Sequence, residues 1–120
     1  MSTRRRWRFY ATTTGRSPAR DFLRGLSDAQ AAQVFTAMGV VAELGLAEAR
    51  HLRRDIYEVR AAVGGQAFRV LFANEGKRGQ ILLALEAFEK KSQRTPPRTI
   101  ALAETRLADW RSRARPRSTS

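Results

Sequence analysis

The spacing of apolar residues changes along the chain from a helical period to an alternating one. Between Ser27 and Gly45 apolar residues recur three and four positions apart, which predicts a long helix bounded by those two residues. A shorter helix is predicted before it, because Ser17 can cap a helix that has Pro18 in its first position and ends by Gly25 or Leu26.

The alternating part of the pattern predicts a sheet. Strands are expected at 56–63 and 66–74, joined across Gly64-Gly65, which supplies the positive φ of a tight hairpin turn. A third strand begins at Ile81 and is apolar at nearly every position, as expected of a strand that is covered on both faces. These strands should form one sheet.

The two ends of the chain complete the predicted fold. Residues 7–10 fit a short opening strand, and Thr95 is predicted to cap a final helix that starts with Pro96. The fold class is therefore α+β, in the order β-α-α-β-β-β-α, with helices packed on a sheet. We expect a single domain over residues 1–120, with a core at about 6–110 and basic, flexible tails at 1–5 and 111–120.

The amino-acid composition narrows the range of possible functions. The 120 residues include 23 Lys and Arg against 11 Asp and Glu, a net charge of +12 that favours polyanionic partners and makes nucleic acid the first candidate. An acidic protein partner is the alternative. The absence of cysteine and the single histidine, His51, exclude disulfides, thiolate chemistry and a histidine metal cluster, so no metal or cofactor is expected. The longest apolar run is too short to cross a bilayer, and the expected location is cytoplasmic.

Strand alternation predicts which charged side chains share a face of the sheet. Charges in the middle of adjacent strands are costly to bury unless they are paired or open to a cleft. Two interpretations stay open: a functional cleft, or a solvated outer face with local cross-strand pairs. The charged residues predicted on this face are Glu58, Arg60, Arg69, Glu86 and Lys90. In the last strand the same face should also carry Leu82, Ala84 and Phe88.

Three segments resemble a known family. They are YEVR at 57–60, FRVL at 68–71 and LEAFEKKSQRTP at 85–96. In this order they resemble the RelE/HigB-type toxins of bacterial type II toxin–antitoxin systems, in the phage-derived branch of the RelE/ParE superfamily. The resemblance extends over nearly the whole chain.

The resemblance implies a RelE-like, microbial-RNase-type fold and a ribosome-dependent mRNA endonuclease, or mRNA interferase, that inhibits translation. The reaction would be metal-independent, with the RNA's own 2′-OH attacking the adjacent phosphate. No cofactor is implied. The implied partners are a cognate helix-turn-helix antitoxin encoded alongside, the 70S ribosome and mRNA, with no membrane.

The resemblance also implies roles for the cations. Arg69 matches an arginine that such toxins place against the scissile phosphate, and Arg60 is a second phosphate-binding candidate. Lys90 and Lys91 match a basic pair at the end of the last strand. Either lysine could protonate the leaving oxygen if neighbouring cations lower its pKa.

The carboxylates are candidate bases. Glu58 is the preferred general base and Glu86 the second candidate; Glu86 stands where many relatives have a histidine. Residues predicted to bind RNA outside the catalytic group are Arg54, Lys77, Arg78, Gln93 and Arg94.

Two other functions stay open. A ParE-type toxin would keep the fold but inhibit DNA gyrase by binding, and a basic RNA- or ribosome-binding module would have no activity. The second is left open because the chain beyond Lys91 contains neither the tyrosine nor the histidine of active relatives, only Trp110 among aromatic residues.

Overall fold

A computed structural model describes residues 4–91 and 94–114 and confirms the α+β class. Its elements, in chain order, are β1 (Arg6–Phe9), α1 (Pro18–Arg24), α2 (Asp28–Leu44), a 3-10 turn (Leu46–Glu48), β2 (Arg50–Arg53), β3 (Ile56–Val63), β4 (Gln66–Glu75), β5 (Ile81–Lys90) and α3 (Pro97–Ala114).

The strands form one sheet in the order β1-β5-β4-β3-β2. β1 pairs parallel with β5, and the other neighbours are antiparallel. β2 was not predicted, and the true order is β-α-α-β-β-β-β-α. Its sequence, RHLR, has a single apolar residue because it is a short edge strand that faces solvent on much of its surface.

Each face of the sheet has its own core. α1 and α2 cover one face, where Val59, Val70 and Phe72 are buried. α3 covers the other face, where Ile56 and Leu71 are buried with residues of the helix. This double cover explains why β5 is apolar at nearly every position, as the sequence predicted.

A β-bulge in β5 corrects the predicted face assignment. Leu71 pairs with Glu86 but its neighbour Phe72 pairs with Ala84, so Leu85 is an extra residue without a partner in β4. The bulge reverses the alternation. Glu86, Phe88 and Lys90 lie on the α3 side, whereas Leu82 and Ala84 pack on the α1/α2 side. The prediction that these five residues share a face was therefore wrong.

The start of α2 and the hairpin turn agree with the sequence. Ser27 Oγ accepts the backbone N–H of Gln30 at 3.2 Å, and the Gln30 side chain accepts the Ser27 N–H at 2.9 Å, a reciprocal cap. Gly64 has a φ of 62°, which the turn between β3 and β4 requires.

The boundaries of α3 differ from the prediction. The helix begins at Pro97, and the backbone carbonyl of Pro96 accepts the first N–H groups, from Thr99 and Ile100. Thr95 is not its cap, because the Thr95 side chain is directed to the sheet. The helix continues to Ala114 and so includes part of the segment predicted as a flexible tail.

Within the described ranges, 4–91 and 94–114, no helix combines the length and the apolar character needed to cross a bilayer.

Candidate active site

A buried carboxylate lies at the centre of a cationic cluster on the α3 side of the sheet. The Glu58 side chain has no exposed surface. Its Oε1 accepts hydrogen bonds from Arg69 Nη1 at 2.6 Å and from Arg60 Nε at 3.0 Å. Its Oε2 accepts a short hydrogen bond from the hydroxyl of Thr95. Glu58 therefore joins β3, β4 and the segment before α3.

Strand register explains why these charges meet. Arg60 on β3 lies directly opposite Arg69 on β4, and like charges in that arrangement repel each other. Glu58 lies two residues before Arg60 on the same face and binds both guanidinium groups. Arg50 on β2 lies directly opposite Glu58 and adds a further positive charge. The cluster thus has one anion among several cations.

Two of the cations have donor atoms that are not used. Arg69 and Lys90 are only 7% and 8% exposed. Neither Arg69 Nε nor Lys90 Nζ has a hydrogen-bond partner among the described residues. The pairing of Phe88 with Arg69 and of Lys90 with Ala67 makes Arg69 and Lys90 diagonal neighbours on one face. Each of these two cations thus keeps one buried N–H donor that is unpaired among the described residues, which is rare in folded proteins.

The surroundings shift the pKa values of Glu58 and Lys90. Burial alone would raise the pKa of Glu58, but the hydrogen bonds from Thr95, Arg60 and Arg69 and the charge of Arg69 lower it overall. The pKa of Lys90 is lowered by burial first and by the charge of Arg69 second, and Glu58 only partly opposes this. The carboxylate stays ionised, whereas the lysine gives up its proton more readily than usual.

Two grooves give access to the cluster. One, of about 250 Å³, is lined by Arg50, Leu52, Glu58, Arg60, Arg94, Thr95, Pro97 and Ile100. The other, of about 260 Å³, is lined by Glu86, Phe88, Glu89, Lys90, Lys91, Pro96 and Thr99. Because β4 lies between β3 and β5, Arg69 lies between the two grooves.

Glu86 is the more accessible of the two predicted bases. Its side chain is 20% exposed and lies 3.3 Å from Arg106 Nη1 on α3. It also accepts the backbone N–H of Ala87 at 3.1 Å. Glu58, by contrast, would have to break existing hydrogen bonds to accept a proton from a substrate.

The structure brings together some of the residues predicted to bind RNA and separates others. Arg94 lines the first groove. Arg54 lies in the turn between β2 and β3, with its Nη1 3.2 Å from Glu104. Lys77 and Arg78 lie in the turn between β4 and β5, at the end opposite Lys90, roughly 30 Å along the strand. Gln93 lies outside the described residues.

Sequence reasoning missed two members of the cluster. Arg50 is on the unpredicted edge strand, and no local pattern indicated its position opposite Glu58. Thr95 was identified, but only as a helix cap. The exposed ring of His51 lies outside the cluster, and its Nε2 donates a hydrogen bond to the Arg54 carbonyl at 2.6 Å.

No group of three or more His, Cys, Asp or Glu side chains that could hold one metal ion occurs in the part of the chain that the structure describes.

Comparison with known proteins assigns the family. The family model described as "Phage derived protein Gp49-like (DUF891)" matches residues 21–108. The chain belongs to the Gp49-like family. Two proteins named "Probable endoribonuclease HigB1", from Mycobacterium tuberculosis strains CDC 1551 / Oshkosh and ATCC 25618 / H37Rv, are each 32% identical to it over 108 residues. The aligned region covers 88% of this chain and 84% of each relative.

These matches confirm the predicted resemblance to RelE/HigB-type toxins. The matched range includes every residue named above for the Glu58 cluster, from Arg50 to Thr95. The roles of individual residues in this Gp49-like chain stay predictions.

Proposed function

We propose that this chain is the toxin of a type II toxin–antitoxin pair and that it cleaves mRNA on the ribosome. The observation that carries the proposal is a pair of buried donors without a partner among the described residues: Arg69 Nε, on the residue between the two grooves, and Lys90 Nζ, on a residue that lines the second groove. A phosphate is an anion of the size and charge that such donors bind. The name of the HigB1 relatives supports RNA as its source.

The proposed reaction is attack of the RNA's 2′-OH on the adjacent phosphate. The 2′-O–P bond forms and the P–O5′ bond breaks, which leaves a 2′,3′-cyclic phosphate and a 5′-OH. Arg69 and Arg60 stabilise the extra negative charge on the phosphorane, which is the contribution that fixed cations make to phosphoryl transfer. No nucleophile from the protein is needed.

Lys90 is the proposed proton donor to the leaving 5′-oxygen, because its lowered pKa brings it nearer to the pH at which acid catalysis is effective. Lys91, which is exposed, binds the RNA backbone. Glu86 is the better candidate for the base because it is accessible, and Glu58 is assigned to holding Arg69 and Arg60 in position. This reverses the order in which the sequence ranked the two glutamates.

The proposal includes partners and location. The toxin acts in the cytoplasm, on the 70S ribosome and mRNA, and is inhibited by a cognate helix-turn-helix antitoxin encoded alongside. Arg50, Arg60 and Arg94 give the first groove a positive charge that suits rRNA or mRNA backbone.

The proposal is tested by in vitro translation of a defined mRNA, with 5′ ends mapped by primer extension. We expect cuts within codons, only when ribosomes are present, and new ends that require phosphorylation before ligation. A double variant, R69A/K90A, should lower the cleavage rate by at least about 100-fold, the scale of losing oxyanion stabilisation. The control is R98A, because Arg98 is exposed on α3 and belongs to neither groove.

Other outcomes identify the alternatives. Inhibition of DNA supercoiling without mRNA cleavage indicates a ParE-type toxin. Binding to ribosomes with neither effect indicates a non-catalytic module, which is favoured by the absence of tyrosine and histidine among the described residues that line the two grooves. Unchanged cleavage by R69A/K90A contradicts the assigned site.

A further inference from the structure

α2 carries an apolar surface that the rest of the described chain does not cover. Only Asp28 and Glu43 are charged among its 17 residues, a composition typical of a helix buried on all sides. Nevertheless, Phe35 is 50% exposed. Exposed apolar surface of this kind marks sites of interaction.

The exposed part of α2 is bordered by two adjoining grooves of about 360 and 350 Å³. Both are lined by Phe9 of β1 and Phe35 of α2, which therefore form a shared ridge. Met38 contributes to the first groove, and Leu23 and Leu26 contribute to the second. We refer to these two grooves together as the α2 groove.

Arginines surround this apolar surface. None of them forms an ion pair with another described residue. Among the described lining residues the only acid is Asp28, at the start of α2 itself. The arginines are Arg4, Arg5 and Arg6 at the first groove and Arg20 and Arg24 at the second.

We propose that the α2 groove binds a helix of a protein partner that is apolar on one face and acidic on the others. The apolar face packs on Phe9 and Phe35, and the carboxylates lie against the arginines. Charge decides the occupant. A second copy of this chain would place arginines against arginines. RNA bases can stack on aromatic rings, but they do not fill the aliphatic walls that Leu23, Leu26 and Met38 give the grooves, whereas the apolar face of a helix does.

This proposal rests on the proposed function in one respect: for a toxin, the protein partner that supplies the bound helix is the cognate antitoxin. The α2 groove lies on the α1/α2 side of the sheet, and the Glu58 cluster lies on the α3 side. A helix bound in the groove therefore leaves the cluster uncovered.

The test uses a fluorescein-labelled synthetic peptide as the probe. It is about 17 residues long, the length of α2, with leucine along one helical face and glutamate elsewhere. A shuffled peptide of the same composition is the control. Fluorescence anisotropy with the full chain should give a dissociation constant of about 1–10 μM for the amphipathic peptide only. Binding should weaken but persist when salt is raised from about 50 to about 300 mM, since the apolar contacts are not screened.

Two groove variants make the test specific. Phe35→Glu, and the double variant Arg4→Glu with Arg6→Glu, should each weaken binding by at least about tenfold. Leu102→Glu is the matched control, because Leu102 is 38% exposed on α3, and it should change binding by less than about twofold. Circular dichroism checks that each variant is folded. The arginine variant keeps the test decisive if the change at Phe35 prevents folding.

Four results would overturn the proposal: equal binding of the shuffled peptide, no effect of the folded groove variants, displacement of the peptide by an RNA oligonucleotide, or self-association of the chain that Phe35→Glu abolishes. The mRNA cleavage assay is run in parallel. Peptide binding without cleavage refutes the proposed function alone, and cleavage without peptide binding refutes the α2 groove alone.

Discussion

The position of Glu58 makes a quantitative prediction for the variant Glu58→Gln. Glutamine keeps the volume of the side chain and can still accept the hydrogen bond of Thr95, but it removes the negative charge. Arg69 then stays buried at 7% exposure without an anion. Removing one partner of a buried ion pair costs about 3–5 kcal/mol, because the other charge stays desolvated.

The lower end of this range applies here. Arg60 is 46% exposed at its side chain, so its bond to Glu58 is screened by solvent and adds little. We therefore expect a loss of about 3 kcal/mol in the free energy of unfolding. With a urea dependence of about 1.5 kcal/mol per molar, the midpoint should fall by about 2 M.

Urea unfolding followed by circular dichroism measures this loss. The matched control is Glu43→Gln, because Glu43 is exposed on α2 and forms no ion pair with another described residue; its effect should stay within about 0.5 kcal/mol. The difference in free energy of unfolding between the wild type and E58Q should have its full size above pH 4.5, the ordinary pKa of glutamate. It should shrink as the pH falls through the lowered pKa of Glu58, because protonation then removes the charge from the wild type as well.

A second substitution tests whether the uncompensated charge of Arg69 causes this loss of stability. Arg69→Met removes the buried charge that E58Q leaves uncompensated, so the double variant E58Q/R69M should recover part of the loss. A cost of less than about 1 kcal/mol for E58Q, or additive effects of the two substitutions, would show that Glu58 does not compensate the charge of Arg69.

Three further predictions concern neighbouring features. Thr95→Val should lower the free energy of unfolding by about 1.5–3 kcal/mol, because it removes a hydrogen bond to the ionised Glu58, whereas Thr95→Ser should keep most of it; thermal unfolding compares the two. Gly64→Ala should lower the free energy of unfolding by about 1–2 kcal/mol, because Gly64 has a φ of 62° that alanine adopts only with strain. Gly65→Ala is the control: Gly65 has no positive φ, and an added Cβ meets nothing within 4 Å at either position. Equal losses in urea unfolding would contradict this explanation. If Lys90 is the acid, the cleavage rate should fall as pH rises through its lowered pKa, and Lys90→Arg should remove that descending limb from the pH profile; an unchanged profile would assign the proton to another group.

Local signals were sufficient for much of the fold. α2 was predictable because its start is capped by Ser27 and Gln30 and its end lies at Gly45. The hairpin at Gly64 was predictable because a two-residue turn demands positive φ between two alternating strands. Each of these signals depends on residues that are near one another in the chain.

The errors arose where distant contacts override the local pattern. Residues Arg50–Arg53 form a strand because they pair with the otherwise open edge of β3, although their own sequence has little strand propensity. The bulge at Leu85 cannot be recognised from the sequence, because the residues before it in β5 are all apolar and show no alternation. It nevertheless moves every later residue of β5 to the other face of the sheet. Thr95 has the local sequence of a helix cap, but a buried carboxylate lies within reach of its hydroxyl.

The sequence by itself determined that this is a basic α+β chain with arginines, lysines and glutamates on adjacent strands, because composition and alternation are properties of the chain alone. Only the tertiary structure decided what those charges do. Strand register places Glu58 between Arg60 and Arg69 and leaves donors of Arg69 and Lys90 unused by the described residues. Pairing between strands and cover by α3 set the burial of each charge, and burial controls which group binds an anion and which one holds its neighbours in place.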